Sequence, residues 1–207
     1  MLEQILADHV WVTIALWAAL YISDYQLTIT SARLYARDAR QYSEVEGSYE
    51  LNPFFEEDVD ALRRFSPRFF VWLILISLFI LLAWFVSFQL EGAEMPGLYF
   101  GALGVLFLRE AAIHIRHVRN LSALYYAARG EGLSGRLFQA RWLVLRLSAV
   151  DLLCFTALYL FSWLVSSHPF FLGGAFGCGL LAVRQWLQSD GARVLQPTAG
   201  ATEPDGS

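Results

Sequence analysis

Apolar residues in this chain fall into five blocks of roughly twenty, the length an α-helix needs to cross a ~30 Å hydrocarbon core. The pattern predicts helices over about 8–36, 67–90, 96–129, 137–166 and 170–188. The first block is apolar from His9 to Ile22 and then turns polar, through Ser23, Asp24, Tyr25, Gln26, Thr28, Thr30 and Ser31. Asp24, Thr28 and Ser31 recur at helical spacing and share a face. A polar stripe of this kind is unfavourable against lipid, so that face is expected to point into a bundle or a water-filled cleft. The second block has no charge from Phe69 to Phe88 and is expected to face lipid over much of its surface. The fifth carries Gly173, Gly174, Gly177 and Gly179, small residues that let helix backbones approach closely. Such a face suits association with a second copy of the chain.

The polar stretches between the blocks complete the layout. Residues 37–66 are rich in acids, and within them Asn52-Pro53 reads as a helix N-cap followed by proline at the first helical position. Phe55, Val59 and Leu62 would form an apolar stripe, with Arg63 and Arg64 closing the helix. This predicts a short amphipathic cytoplasmic helix near 53–64, lying on the membrane surface or against the bundle. Turns are expected at 91–94 and 167–169 and a flexible break at 130–135. From Ser189 the chain is Gly-, Pro-, Thr- and acid-rich, which predicts a disordered tail over 189–207. The expected architecture is all-α: one polytopic membrane domain over 1–188, built as a bundle of five transmembrane helices.

Composition supports that class. The 207 residues are 57% hydrophobic and 16% charged, against about a quarter charged in soluble domains. The fifteen basic residues are all arginine. They cluster in the 37–66 loop and after the third block, and are absent from 91–95 and 167–169. The positive-inside rule then predicts the N-terminus outside and the C-terminus inside, with a bacterial inner (plasma) membrane as the expected location. Met1-Leu2-Glu3-Gln4 lacks the basic start of a signal peptide, so the first block reads as a retained helix. Cys154 and Cys178 lie inside apolar blocks and read as small hydrophobes rather than a disulfide framework. The basic residues are spread over the inner loops, which gives nucleic-acid binding little support. Nucleotide loops, His-Glu-x-x-His and Gly-x-Ser-x-Gly are absent from the sequence.

The candidate chemistry lies on the third block, in Arg109-Glu110-Ala111-Ala112-Ile113-His114-Ile115-Arg116-His117. At about 100° per residue, Glu110, His114 and His117 form one stripe, while Arg109, Arg116 and Asn120 form another roughly 100° away. Glu110 is fourteen residues beyond Pro96, or ~21 Å along the axis, and Asp24 is similarly deep in the first block. Asp151 enters from the inner side on the fourth. Carboxylate and imidazole on one stripe suit a divalent transition metal, with His114, His117 and Glu110 as ligands and Asp24 or Glu50 completing the shell. Glu110, His114 and Asp24 could equally act as acid and base. Arg109 and Arg116, with Asp151, would hold an anionic lipid or a membrane peptide. Glu50, Asn52 and Pro53 serve the site only if their segment folds back under the bundle. Three readings follow: an enzyme acting on a membrane-embedded lipid or peptide, a proton- or cation-coupled transporter or oligomeric channel, and a structural or assembly subunit. Buried ion pairs of Glu110 and Asp24 with Arg109 and Arg146 would explain the same residues without any activity.

Overall fold

The computed structural model describes residues 2–47, 50–90, 95–129, 131 and 137–194. They form an all-α bundle containing five helices long and apolar enough to cross a membrane. A short helix α1 (Leu2–Asp8) precedes α2 (Val10–Leu34), which ends in a π-helical turn over Tyr35–Ala39. Then come α3 (Glu56–Asp60), α4 (Pro67–Phe88), α5 (Pro96–Ala128), α6 (Arg141–Ser166) and α7 (Pro169–Val194). α5 is the central element: it packs on α2 and α4 along one side and on α7 along the other, and α6 packs on α7.

Each half has its own core. Trp17, Ile80, Tyr99 and Leu103 fill the space between α2, α4 and the first half of α5. Ala112, Leu152, Ala175 and Cys178 fill that between α5, α6 and α7. The second interface is close because it is built from glycines. A Cβ at Gly173 would lie 2.0 Å from the Gly101 carbonyl oxygen, and one at Gly104 would lie 1.8 Å from that of Phe170. Gly174 and Gly177 face Leu108 and Val105 in the same way. The glycine face expected to receive a second copy is therefore occupied within the chain. α4 is the most exposed span, with Phe70, Trp72, Ile74, Leu78 and Leu82 on its outer surface, as its uncharged sequence implies.

The α1 end of the bundle is closed by side chains that satisfy the last carbonyls of α1, which have no partner within the helix. Trp84 Nε1 donates to the Ala7 carbonyl at 2.6 Å, and the Tyr99 hydroxyl lies 3.2 Å from that of Leu6. His168 Nε2 meets Glu3 Oε1 at 3.2 Å at the same end.

At the opposite end the structure departs from the pattern. The helix expected over 53–64 is shortened to α3. Asn52 does not cap it: Asn52 Oδ1 accepts from the Phe54 amide at 3.3 Å and its carbonyl from the Phe55 amide at 3.0 Å, making a turn before the helix begins. Leu62, at φ 52°, ends the segment in the left-handed region. α3 lies against the bundle, where Val59 packs with Tyr25, Ile29, Ala32 and Phe69. The fourth long helix starts at Arg141 rather than 137, because Leu137–Gln139 forms a strand, β2, parallel to β1 (Ser43–Val45). Glu46 extends this clamp by donating its amide to the Gln139 carbonyl (3.0 Å) and accepting the Arg141 amide on its carboxylate (3.1 Å). An acid at the first turn of α6 also complements the helix dipole. α7 runs six residues past the predicted end. Ser189 Oγ donates to the Trp142 carbonyl (3.0 Å) and Asp190 pairs with Arg146 (2.5 Å), which tie this extra turn to α6. The turn at 91–94, residues 130 and 132–136 of the expected break, and the expected tail beyond 194 lie outside the described residues.

Candidate functional site

The polar face of α2 meets the carboxylate–imidazole stripe of α5. Asp24, Glu110 and His114 each bring a ligand atom within 4.8 Å of the other two. His117 adds its Nε2 at 3.4 Å from Asp24 Oδ1, and His114 Nδ1 lies 3.7 Å from the same oxygen. Glu110 is buried at 3% exposure, while the side chains of Asp24, His114 and His117 keep about a fifth of their surface open. The cluster is thus walled on one side and accessible on the other, where Ser23 is exposed.

The local reason is helical periodicity. Glu110, His114 and His117 are four and three residues apart, so they stack along one edge of α5. Asp24 is brought opposite them because the α2 turn that carries it is clamped from below. The Tyr25 hydroxyl donates to the Arg63 carbonyl at 3.0 Å and Gln26 Nε2 to that of Arg64 at 3.2 Å. Stacked rings of Trp17, Tyr21 and Phe69 pack the turn above it.

The hydrogen bonds leave a charge to be balanced. His114 Nε2 sits 2.8 Å from Ser23 Oγ, and that hydroxyl lies 2.8 Å from the Leu20 carbonyl. A hydroxyl has one proton, so Ser23 either gives it to Leu20 and accepts from Nε2–H, or gives it to Nε2 while Nδ1–H donates to the Glu110 carbonyl. His114 Nδ1 then faces the Glu110 carbonyl at 3.1 Å and Asp24 Oδ1 at 3.7 Å. Asp24 Oδ1 is buried and has no hydrogen-bond donor among the described residues. Arg109 lies 3.4 Å from Glu110 and offsets one of the two carboxylates. The other can be neutralised by a proton on the carboxyl itself, shared between Asp24 and Glu110, by a proton held on imidazole, or by a metal ion in the gap. Three ligand atoms within 4.8 Å of one another place a central ion at most about 2.8 Å from each, so shifts of under 1 Å reach ordinary Zn–N and Zn–O distances.

Around this centre lies a second group of charges. Residues 55–62 pack against α2 and α4, and Glu50 interacts electrostatically with Asp24 and Arg116. Glu50 Oε1 accepts the Asn52 amide at 2.6 Å, and burial pushes its carboxyl up to about 7 against the opposing pull of Arg116 and Arg141. Asn52 and Pro53 therefore shape the loop that presents Glu50, with the hydrogen bonds of Asn52 going to Glu50 and to the Phe54 and Phe55 amides. Asp151 does not join Asp24 and Glu110. Its carboxylate is 2.8 Å from Arg119, which lies about 180° around α5 from Glu110. Arg146 pairs with Asp190 and stacks on Trp186, so only the Arg109 half of the expected ion-pair network forms. Ser23 is the contributor that the sequence reading passed over. Its position beside Asp24 on the polar stretch was the available signal. Comparison with family models, with curated proteins and with solved structures finds no match for this chain.

Proposed function

We propose that the protein is a membrane-embedded enzyme acting on a lipid, with a divalent transition metal held by Asp24, Glu110 and His114 and with His117 as the adjoining acid–base group. The observation that carries this reading is Asp24 Oδ1, a buried oxygen without a donor, set between two imidazole nitrogens at 3.4 and 3.7 Å. Bound there, the metal would supply Lewis-acid activation of a water or an ester oxygen. The chain's own groups would hold His114 through Ser23, orient Glu110 through Arg109, and pass a proton at His117 Nε2. In this reading the α1 end faces outward, and the centre opens toward the cytoplasmic half of a bacterial inner membrane.

Two alternatives have less behind them. A transport path would need polar groups through the α1 half, yet Thr156 and Ser162 bond to carbonyls of their own helix and Thr13 is held by Tyr99. A docking role for the acidic 38–60 segment competes with internal pairing: Asp38 with Arg37, Glu56 with Arg141, Glu57 with Arg68 and Asp58 with Arg63.

Elemental analysis of the purified full chain tests the proposal. About one equivalent of Zn, Mn or Fe is expected, falling at least tenfold in Asp24→Asn and His114→Ala and unchanged in His168→Ala. Wild-type protein without metal, or His114→Ala with its metal intact, would overturn the metal centre.

A further inference from the structure

Beyond the centre, the last turns of α2 and of α5 border a groove of about 900 Å³. Its volume is within the range of small-molecule sites. The walls are apolar, from Leu34 and Leu121, with the rings of Tyr125 and Tyr126 along α5. Arg33 and Arg37 stand on the α2 side. The groove continues the line of the centre. Leu121 and Tyr125 follow His117 at four and eight residues, on the same edge of α5, and Thr30 follows Ser23 by two turns of α2. A long apolar molecule lying in the groove would therefore run toward Ser23 and His114.

Charge identifies its head. Arg33 makes one hydrogen bond among the described residues, to the Leu62 carbonyl at 3.4 Å. Arg37 touches the neighbouring Asp38 but is 80% exposed, where such a pair contributes little. The two guanidinium groups are one helical turn apart, above an apolar channel and beside two tyrosines. That combination fits an anionic head group with an acyl chain beside it: the arginines take the phosphate, and the tyrosines and leucines take the chain. A zwitterionic lipid would bring a choline cation against the same pair.

We infer that this groove seats an anionic phospholipid of the cytoplasmic leaflet, its phosphate between Arg33 and Arg37 and one acyl chain along Leu34, Leu121 and Tyr125. The inference goes beyond the enzymatic reading above: Arg33 lies nine residues, about 14 Å along α2, from Asp24, so the groove is a lipid-binding site and the head it holds is not placed at the centre. Equilibrium titration of the full chain in neutral detergent with fluorescent phosphatidylglycerol and phosphatidylcholine tests it. Phosphatidylglycerol is expected to bind at least tenfold more tightly. The Arg33→Gln/Arg37→Gln pair should lower it to the phosphatidylcholine level, Arg33→Lys/Arg37→Lys should keep most of the preference, and Leu121→Trp should weaken both lipids. Equal binding of the two lipids, an unaffected double Gln variant, or displacement by inorganic phosphate at the lipid's own concentration would overturn it. Metal is measured on the same samples. Lipid preference without metal would sink the centre and leave the groove; metal without lipid preference would sink the groove and leave the centre.

Discussion

Gly104→Ala should loosen the α5–α7 interface, and the size of the effect follows from the backbone. The added Cβ would lie 1.8 Å from the Phe170 carbonyl oxygen and 2.7 Å from its carbon, where Cβ contacts below 3.0 Å essentially do not occur. Both obstacles are main chain, so no rotamer change relieves them, and the helices must part by more than 1 Å at this point. Overpacking costs about 1–3 kcal/mol, and a gap of that size also forfeits roughly a quarter to a half of the dispersion energy of the facing atoms. A loss of about 3 kcal/mol corresponds to a fall in Tm of roughly 6–12 °C for a chain of this length. Gly191→Ala is the internal control, because nothing lies within 4 Å of its added Cβ. In a helix it should be neutral or stabilising by up to about 1 kcal/mol. Thermal unfolding in detergent, followed by circular dichroism, compares the two. Since the proposed centre lies between α5 and α2, Gly104→Ala should keep its metal below its own Tm. Equal Tm values for the two variants would refute the close-packed interface.

Two further outcomes are expected. The half-buried Glu50 carboxyl has its folded value raised by desolvation from 4.5 to about 7, so its contribution is fully present below about pH 4.5 and is lost as pH rises through 7. The shift corresponds to at most about 3–4 kcal/mol. Unfolding midpoints should therefore fall between pH 5 and 8 in the wild type and change less in Glu50→Gln; parallel profiles would contradict the burial of this carboxyl. For orientation, single cysteines at Ser167 and at Asp38, in a Cys154→Ala/Cys178→Ala background, should react with a membrane-impermeant maleimide from outside and only after permeabilisation, respectively. The reverse pattern would invert the proposed topology.

The spans were legible because a membrane-length apolar block between charged or glycine-rich breaks has few other uses. The close approach of Asp24, Glu110 and His114 was legible for a related reason, since helical periodicity and depth along the axis both follow from counting residues. Depth, however, does not give azimuth between helices. Asp151 has the right depth and still pairs with Arg119, because α6 packs on α7, which lies on the side of α5 away from α2. The parallel clamp of Ser43–Val45 on Leu137–Gln139 was hidden by its size: three residues per strand leave no alternation to read, and Leu137 continues smoothly into an apolar helix. α1 was hidden because its support comes from Trp84 and Tyr99, far along the chain. Asn52-Pro53 misled because the Asn52 side chain and carbonyl close a turn before the helix rather than capping it.

The strand clamp also sets the order in which the molecule can be completed during synthesis. Ser43 finds its partner only when Leu137 has emerged, and Asp24 waits almost as long for Glu110 and His114. At roughly 5–20 residues per second, that is a delay of about 5–20 s. Through that interval Asp24 on the first long helix lacks Glu110 and His114, and Ser43–Val45 lacks its partner strand. A nascent chain halted before residue 137 would hold α2, α4 and α5 but no paired strand to fasten the segment that presents Glu50.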